Sequence, residues 1–281
     1  MSALALLGGC ALTQPAETEP ALAQQTTTTP TYSPAIMLPD PTPTPTATTP
    51  TTTPTPTPTV TPTTVEVAAD VDCTVAKCIA LTIDDGPSER SGKVLDTLKK
   101  YNVKATFFLV GNRIGNYTAA VKRMGAEGHS VQNHSYSHPE FWYMSSAQIK
   151  SQLTKTSKLI KKYTGTAPTM YRPPYGESNK TVRKVGKNLG LAQVLWDIDP
   201  KDWKDRDADT VAKRVIKNAK PGSIILTHGL YSSTIKAYKK FIPELQAKGY
   251  VFVTVDQLFP KGMKAGTNYA CQAAPKCREP A

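Results

Sequence analysis

Between residues 26 and 64 the chain carries almost nothing from which a core could be built. This segment contains 19 Thr and 11 Pro, which together fill 30 of its 39 positions. Large apolar side chains are scarce there, and Pro lacks the N–H group that a helix or a sheet requires. We therefore expect residues 11–72 to be a disordered, extended linker and residues 73–281 to form one folded domain.

The first ten residues end in Leu7-Gly8-Gly9-Cys10. This sequence resembles a bacterial lipobox, in which the cysteine receives a lipid. A complete export signal also has a basic segment and a longer apolar stretch. Both are missing here, so we expect the natural start to lie upstream of Met1. We interpret residues 1–10 as the remnant of a lipoprotein signal and Cys10 as the lipidated residue. The protein would then be exported and be lipid-anchored, wall-associated or released; the alternative is an N-terminus without a function.

The distribution of charged residues also divides the chain between residues 72 and 73. Residues 1–72 carry six acids and no base, whereas residues 73–281 carry 34 bases and 16 acids, a net charge of +18. Such a domain attracts anionic polymers, which at a cell wall are teichoic acids or peptidoglycan carboxylates; the alternative is a generally basic, soluble surface. No recognition motif supports a nucleic acid as partner. No apolar run reaches the roughly 18 residues of a membrane span, so we expect membrane contact only through a lipid anchor. We also expect the protein to be a monomer.

From Cys78 onward, short apolar runs alternate with amphipathic stretches. The predicted strands are 78–83, 105–110, 129–132, 169–172, 192–198, 223–227 and 250–255, and the predicted helices lie near 90–101, 116–126, 145–163, 178–188, 208–219 and 232–247. Gly128, Gly190 and Gly249 fall where a helix should end before the next strand. This alternation predicts a parallel α/β fold. A β/α barrel is favoured, and a doubly wound open sheet is the alternative.

Polar side chains that can do chemistry follow directly after the predicted strands. They are Asp84, Asp85, His134, Arg172, Asp199 and His228. The carboxyl ends of parallel strands meet on one face of a barrel, so these side chains should converge. The i, i+4 spacing of His134 and His138 would place both imidazoles on one face of a helical turn, where they could bind a divalent metal. One of the two aspartates could complete the ligand set and the other could act as a base, although Asp-Asp-Gly-Pro could also be a plain turn.

Five short motifs follow one another along this part of the chain. They are Thr82-Ile83-Asp84-Asp85-Gly86-Pro87, His134-Ser135-Tyr136-Ser137-His138, Arg172-Pro173-Pro174-Tyr175-Gly176, Asp199-Pro200-Lys201-Asp202-Trp203 and Leu226-Thr227-His228. In content and order they resemble the motifs of the polysaccharide deacetylases of carbohydrate esterase family 4, which have the nodulation protein B homology domain. With the lipobox, the resemblance suggests an actinobacterial-type lipoprotein. It implies a distorted β/α barrel of seven or eight strands and metal-dependent removal of acetyl groups from a polysaccharide.

The resemblance implies where the metal and the base lie. Asp85, His134 and His138 would hold a divalent metal, typically zinc in the family, with cobalt or another divalent ion also seen. Asp84 would be the general base, and Arg172 would orient it and compensate its charge.

The resemblance also assigns the remaining motif residues. His228 would be the general acid, held by an acid of the fourth motif, for which we favour Asp202 over Asp199. The backbone N–H of Tyr175 would help to hold the oxyanion. Two further side chains would shape the pocket for the acetyl methyl group, and these are Trp203 and Leu226.

Three positions fall outside the shared pattern. Position 83 is Ile where the family often has Phe, and Gly229 follows His228 where many members have Asp. His129 matches no motif, so we expect it to be a partly buried structural histidine.

The five cysteines give a separate set of predictions. Cys10 is the odd one, and an exported chain favours disulfides among the rest. We expect local pairing of Cys73 with Cys78 and of Cys271 with Cys277, although four cysteines allow three pairings. A four-thiolate zinc site is less favoured because neither pair has the C-x₂-C spacing.

The favoured function is N-deacetylation of N-acetylglucosamine units, in peptidoglycan or in a chitin-like glycan. An O-acetyl esterase that acts on xylan is the enzymatic alternative, and the sequence does not discriminate an amide from an ester. A catalytically silent lipoprotein that binds the wall is the alternative from another class.

Overall fold

The computed structural model of the protein describes residues 71–272. The predicted lipidation site Cys10, the segment 26–64 and Cys277 lie outside these residues. Cys73 and Cys78 form a disulfide with an S–S distance of 2.01 Å, whereas the pairing of Cys271 with Cys277 stays a prediction. In the part of the chain that is described, no helix is both long and apolar enough to cross a membrane.

The described residues form a parallel α/β domain. The strands are Lys77–Gly86 (β1), Thr106–Leu109 (β2), Ser130–Asn133 (β3), Met170–Tyr171 (β4), Ala192–Val194 (β5), Ile224–His228 (β6), Tyr250–Val253 (β7) and Asn268–Tyr269 (β8). The helices are Ser91–Lys100 (α1), Gly111–Ile114 (α2), Thr118–Ala126 (α3), Ser146–Thr164 (α4), Lys180–Asn188 (α5), Asp202–Asp205 (α6), Ala208–Asn218 (α7), Ser232–Ala247 (α8) and Val255–Leu258 (α9). Every ladder between these strands is parallel.

The strand order confirms the barrel and excludes the doubly wound alternative. The order is β6-β1-β2-β3-β4-β5-β8, and β7 pairs with the beginning of β1. In a doubly wound sheet the strand order reverses at a switch point, whereas here β1 to β5 are neighbours in chain order. A single bridge between Ile198 and Ile225 leads the chain after β5 back to β6. One bridge in place of a full ladder makes the barrel distorted.

Alternation along β1 decides which residues face the interior of the barrel. Ile79, Leu81 and Ile83 belong to the large apolar cluster that packs against α1, α3, α7 and α8. Ala80 belongs to the interior cluster, together with Phe108 of β2. Since side chains alternate between the two faces of a strand, Asp84 is expected on the same side as Ala80, inside the barrel.

The seven predicted strands and six predicted helices all occur, with shifted ends. The fourth strand is reduced to Met170–Tyr171, and the helix predicted near 116–126 begins as the 3-10 turn Gly115–Tyr117 before α3. The short elements α2, α6, α9 and β8 were missed because two to four residues do not complete a recognisable period. The helix-ending role predicted for Gly128 agrees with its φ of +76°, since this conformation favours glycine.

Candidate metal centre and active site

Asp84 and Asp85 lie near the end of β1, and both side chains line one pocket. An uninterrupted strand would send neighbouring side chains to opposite faces. Asp85, however, has a left-handed backbone with φ of +65°, which breaks the alternation. As a result, Oδ2 of Asp84 and Oδ1 of Asp85 lie 3.6 and 3.5 Å from Nε2 of His134.

His134 and His138 lie in a loop after β3, so the predicted helical turn is wrong. Ser135 and His138 have φ of +67° and +57°, which a right-handed helix does not allow. Side-chain acceptors replace the helical hydrogen bonds: Asn133 Oδ1 accepts the N–H of Ser135, and Gln152 Oε1 accepts the next two N–H groups. The loop nevertheless brings the two imidazoles together, with ring centroids 4.9 Å apart.

The Asp85, His134 and His138 side chains form a site for a divalent metal. Their three ligand atoms lie within 4.8 Å of one another, and Oδ1 of Asp85 is 3.5 Å from Nε2 of His134 and 3.3 Å from Nε2 of His138. Two ligands of one tetrahedral ion, with bonds of about 2.1 Å, lie about 3.4 Å apart. Nδ1 of His134 lies 2.7 Å from the carbonyl oxygen of Arg172, which fixes Nε2 as the free nitrogen.

Burial and neighbouring charges both shift the pKa values of these ligands. Burial alone would raise the pKa of Asp85, but the hydrogen bond and charge of His134, with the charge of His138, hold it well below its usual range. Burial opposes protonation of His134, yet the carboxylates of Asp84 and Asp85 raise its pKa. Burial, reinforced by His134, lowers the pKa of His138. An anionic oxygen therefore faces two imidazoles, which is a suitable donor set for a divalent cation.

Arg172 is fully buried and holds Asp84 in place. Its Nη1 donates to Oδ1 of Asp84 and to Oγ1 of Thr82, at 2.7 Å each. Nε and Nη2 donate to the carbonyl oxygens of Val194 and Leu195. The guanidinium also stacks on the ring of Phe108 at 4.2 Å. One oxygen of Asp84 is thus fixed to Arg172, and the other faces the metal ligands.

His228 lies at the end of β6, where its register partner is Asp84. Nδ1 of His228 lies 2.9 Å from Oδ1 of Asp202, whose Oδ2 accepts the His228 N–H and the Thr234 hydroxyl at 2.7 Å each. Burial lowers the pKa of His228, but the hydrogen bond and charge of Asp202 outweigh it and raise the value to about 9. Asp199 lines the pocket and accepts the Lys201 N–H at 2.8 Å. The structure therefore brings Asp202 to His228.

These groups meet in a pocket of about 390 Å³. Its lining includes Tyr175, Trp203 and Leu226, which were predicted site residues, and also Trp196, which was not predicted. Trp203 is 45% exposed, so it belongs to the pocket rim and not to the core. Trp196 follows β5, and this position after a strand was the signal that could have found it.

The two departures from the family pattern lie close to each other. A Cβ atom placed on Gly229 would lie 3.1 Å from Cγ2 of Ile83. The branched side chain at position 83 therefore occupies the space into which a side chain at 229 would extend. Neither position contributes a metal ligand, and the hydrogen bonds of His228 go to Asp202.

A model of the polysaccharide deacetylase family matches residues 71–194. The peptidoglycan-N-acetylglucosamine deacetylase PgdA of Listeria monocytogenes is 41% identical over 194 residues, which cover 69% of this chain and 41% of the relative. This chain thus spans about two fifths of the length of that relative.

Two solved structures share the fold. The structure described as T48 deacetylase with substrate has a TM-score of 0.68 and 36% identity, over 71% of this chain and 99% of that one. A family 4 acetyl xylan esterase from Clostridium thermocellum, in complex with a cobalt ion, has a TM-score of 0.62 and 38% identity, over 66% of this chain and 91% of that one. A peptidoglycan-N-acetylglucosamine deacetylase of Bacillus cereus is 41% identical over 64% of this chain and 68% of the relative. With the metal site inside the region that the family model matches, the chain belongs to the polysaccharide deacetylase family.

Proposed function

We propose that this protein is a metal-dependent deacetylase that removes acetyl groups from N-acetylglucosamine units of peptidoglycan. The observation that carries the proposal is one pocket in which a divalent metal site, a fixed carboxylate and a histidine paired with an aspartate face one another. Hydrolysis of an acetamide needs a base for water and an acid for the leaving amine. The pocket offers one candidate for each.

Asp84 is the general base of the proposed reaction. Its Oδ1 is held by Arg172, so Oδ2 is the oxygen available to accept a proton from the attacking water. Asp85, His134 and His138 would hold the metal, for which we propose zinc, with cobalt as the alternative seen in the esterase structure. When bound, such an ion lowers the pKa of a coordinated water and polarises the acyl oxygen.

His228 is the general acid. Its Nδ1 is engaged by Asp202, which leaves Nε2 to donate a proton to the departing sugar nitrogen. A pKa of about 9 means that the imidazole carries this proton at neutral pH. We assign the oxyanion donor to the backbone N–H of Tyr175 and the acetyl pocket to Trp203 and Leu226, which all line the same pocket.

Several features support a substrate in the wall. The Listeria relative is named for peptidoglycan N-acetylglucosamine. We propose that Cys10 is lipidated, that residues 11–72 act as a spacer between membrane and wall, and that residues 73–281 are the catalytic domain. At about 3.1 Å per residue, the 39 residues of the Thr/Pro segment could reach roughly 120 Å. The net charge of +18 on residues 73–281 would favour retention by anionic wall polymers.

Two other functions remain in competition. The likeness to an acetyl xylan esterase makes ester hydrolysis on xylan the second candidate. A silent wall-binding protein is the third, and the intact ligand set and base argue against it.

The test is acetate release by the purified full chain from peptidoglycan, chitooligosaccharides and acetylated xylan. Each substrate is assayed with a chelator, with zinc restored, and with the Asp84→Asn variant as the matched control. We expect release from the amide substrates that the chelator abolishes and zinc restores. Release from xylan alone would establish the esterase. No release from any substrate by the zinc-loaded protein would overturn the proposal and favour the binding role.

A further inference from the structure

Two large aromatic side chains that follow the metal ligand His138 in the chain are exposed to solvent. Trp142 is 59% exposed and Tyr143 is 82% exposed, and they follow each other in the 3-10 turn Phe141–Tyr143. Single exposed apolar residues are common, but two adjacent large ones form a patch that needs an explanation. We call Trp142 and Tyr143 the aromatic ledge.

The turn that carries the ledge is held from two sides. Phe141 is fully buried and packs in the cluster that also contains Leu153 of α4 and Val182 of α5. From the other side, Oε2 of Glu177 accepts the backbone N–H of Trp142 at 3.0 Å. Both aromatic side chains are therefore presented on a fixed backbone, which reduces the entropy lost when a ligand binds.

The ledge is linked to the pocket wall by short stretches of chain. Trp142 follows the metal ligand His138 by four residues, and Glu177 follows Tyr175 by two. The rings of His138 and Tyr175 contact each other, with centroids 4.7 Å apart, and both line the pocket. The backbone of the ledge is therefore tied to the two chain segments that carry His138 and Tyr175, in the loops after β3 and β4.

We infer that the aromatic ledge is a binding subsite for a second sugar unit of the glycan chain, next to the unit whose acetyl group is removed. This inference rests on the proposed function. Pyranose rings have apolar C–H faces that can cover an indole or phenol ring and remove it from water. The apolar face of a sugar ring fits this patch better than an anionic group of a polymer does, because neither side chain of the ledge is cationic.

The test measures chain-length preference. Acetate release by the full chain is followed on N-acetylglucosamine oligomers of two to six units, for wild type and for the double variant Trp142→Ala/Tyr143→Ala. We expect the ratio of kcat/KM for the hexamer to that for the dimer to fall about tenfold, mainly through KM. Tenfold corresponds to about 1.4 kcal/mol, which about 55 Å² of buried apolar surface supplies.

Two control variants separate stacking from structure. Trp142→Phe/Tyr143→Phe keeps two aromatic rings and should keep most of the chain-length preference. Val75→Ala changes another exposed apolar side chain, before the start of β1 at the opposite end of the barrel, and should leave the preference unchanged. Melting temperatures of all variants are compared, because a fall in kcat/KM that is equal for every oligomer would overturn the inference.

Glu177 provides an independent variant. Glu177→Gln keeps an oxygen that can accept the N–H of Trp142, whereas Glu177→Ala does not. We expect a smaller loss of the same chain-length preference in the Ala variant and retention in the Gln variant. Equal behaviour of the two would contradict the positioning role of this carboxylate.

A binding measurement distinguishes failure of the ledge from failure of the proposed function. The hexamer is titrated by calorimetry into the Asp84→Asn protein with and without the ledge substitutions. If wild type releases no acetate, the proposed deacetylation fails, but a weaker hexamer affinity in the ledge variant still supports the subsite. Equal affinities would overturn it.

Discussion

Nη1 of Arg172 donates to Oδ1 of Asp84 at 2.7 Å, and both side chains are buried inside the barrel. A buried ion pair contributes little when complete but costs about 3–5 kcal/mol when one partner is removed. The pair therefore couples the proposed base to the stability of the domain. Replacement of Asp84 and replacement of Arg172 should differ in their effects on activity, metal content and stability.

Replacement of Asp84 by Asn should lower kcat/KM for acetate release by about 10²–10⁴-fold, because the amide does not accept the proton from water. The Asp85, His134 and His138 side chains remain, so zinc content should stay near that of wild type. Metal analysis of the purified variant and acetate assays check both points. A variant that retains full activity would show that the base is another group.

Replacement of Arg172 by Lys should destabilise the domain by about 2–4 kcal/mol and also reduce activity. An ammonium group does not reproduce the four hydrogen bonds that the guanidinium makes to Thr82, Asp84, Val194 and Leu195. Urea denaturation gives the free energy of unfolding. As a control, Arg183→Lys alters a half-buried arginine whose guanidinium donates to Ser178, and we expect a change of about 0.5 kcal/mol or less. Equal losses in the two variants would contradict the special role of the buried pair.

Sequence patterns predicted the barrel because the apolar runs and amphipathic stretches are long enough to show their periods. They predicted the metal ligands through the motifs, but not how the ligands meet. The i, i+4 spacing of His134 and His138 suggested a helix, and a left-handed loop stabilised by Gln152, on α4, brings the rings together instead. Trp196 was missed because an indole carries no titratable or metal-binding group, although it lies just after β5.

Replacement of Asp202 by Asn should move the alkaline limb of the pH profile of kcat/KM to lower pH. The general acid must be protonated, so activity falls as pH rises through the pKa of His228. Burial lowers that pKa, and the hydrogen bond and charge of Asp202 raise it to about 9. Loss of this carboxylate should therefore bring the limb towards neutral pH.

Asp199→Asn is the matched control for that measurement. Asp199 lines the same pocket, but its carboxylate accepts the N–H of Lys201 and has no hydrogen bond to His228 among the described residues. We expect its alkaline limb to stay close to that of wild type. A larger shift for Asp199→Asn than for Asp202→Asn would reverse the assignment of the acid's partner.

His129 should make the domain lose stability in mild acid, independently of the active site. Its Nδ1 accepts the N–H of Ala105 at 3.2 Å, and the ring packs against Phe107. Burial, with a contribution from the charge of Lys104, lowers its pKa to about 4. Because the unfolded chain binds this proton at about pH 6.5, the folded state loses stability as pH falls below that value, by about 3 kcal/mol at pH 4.

The variant His129→Asn isolates this effect from the other titrating groups. Its side-chain oxygen can still accept the N–H of Ala105, but it does not titrate. Above pH 7 the difference in unfolding free energy between wild type and variant should be constant. Between pH 6.5 and pH 4 the unfolding free energy of the variant should rise relative to that of wild type by about 3 kcal/mol, since only wild type must keep an uncharged imidazole buried. Urea denaturation across this range gives the difference directly, and parallel curves for the two proteins would mean that another group causes the loss of stability in acid.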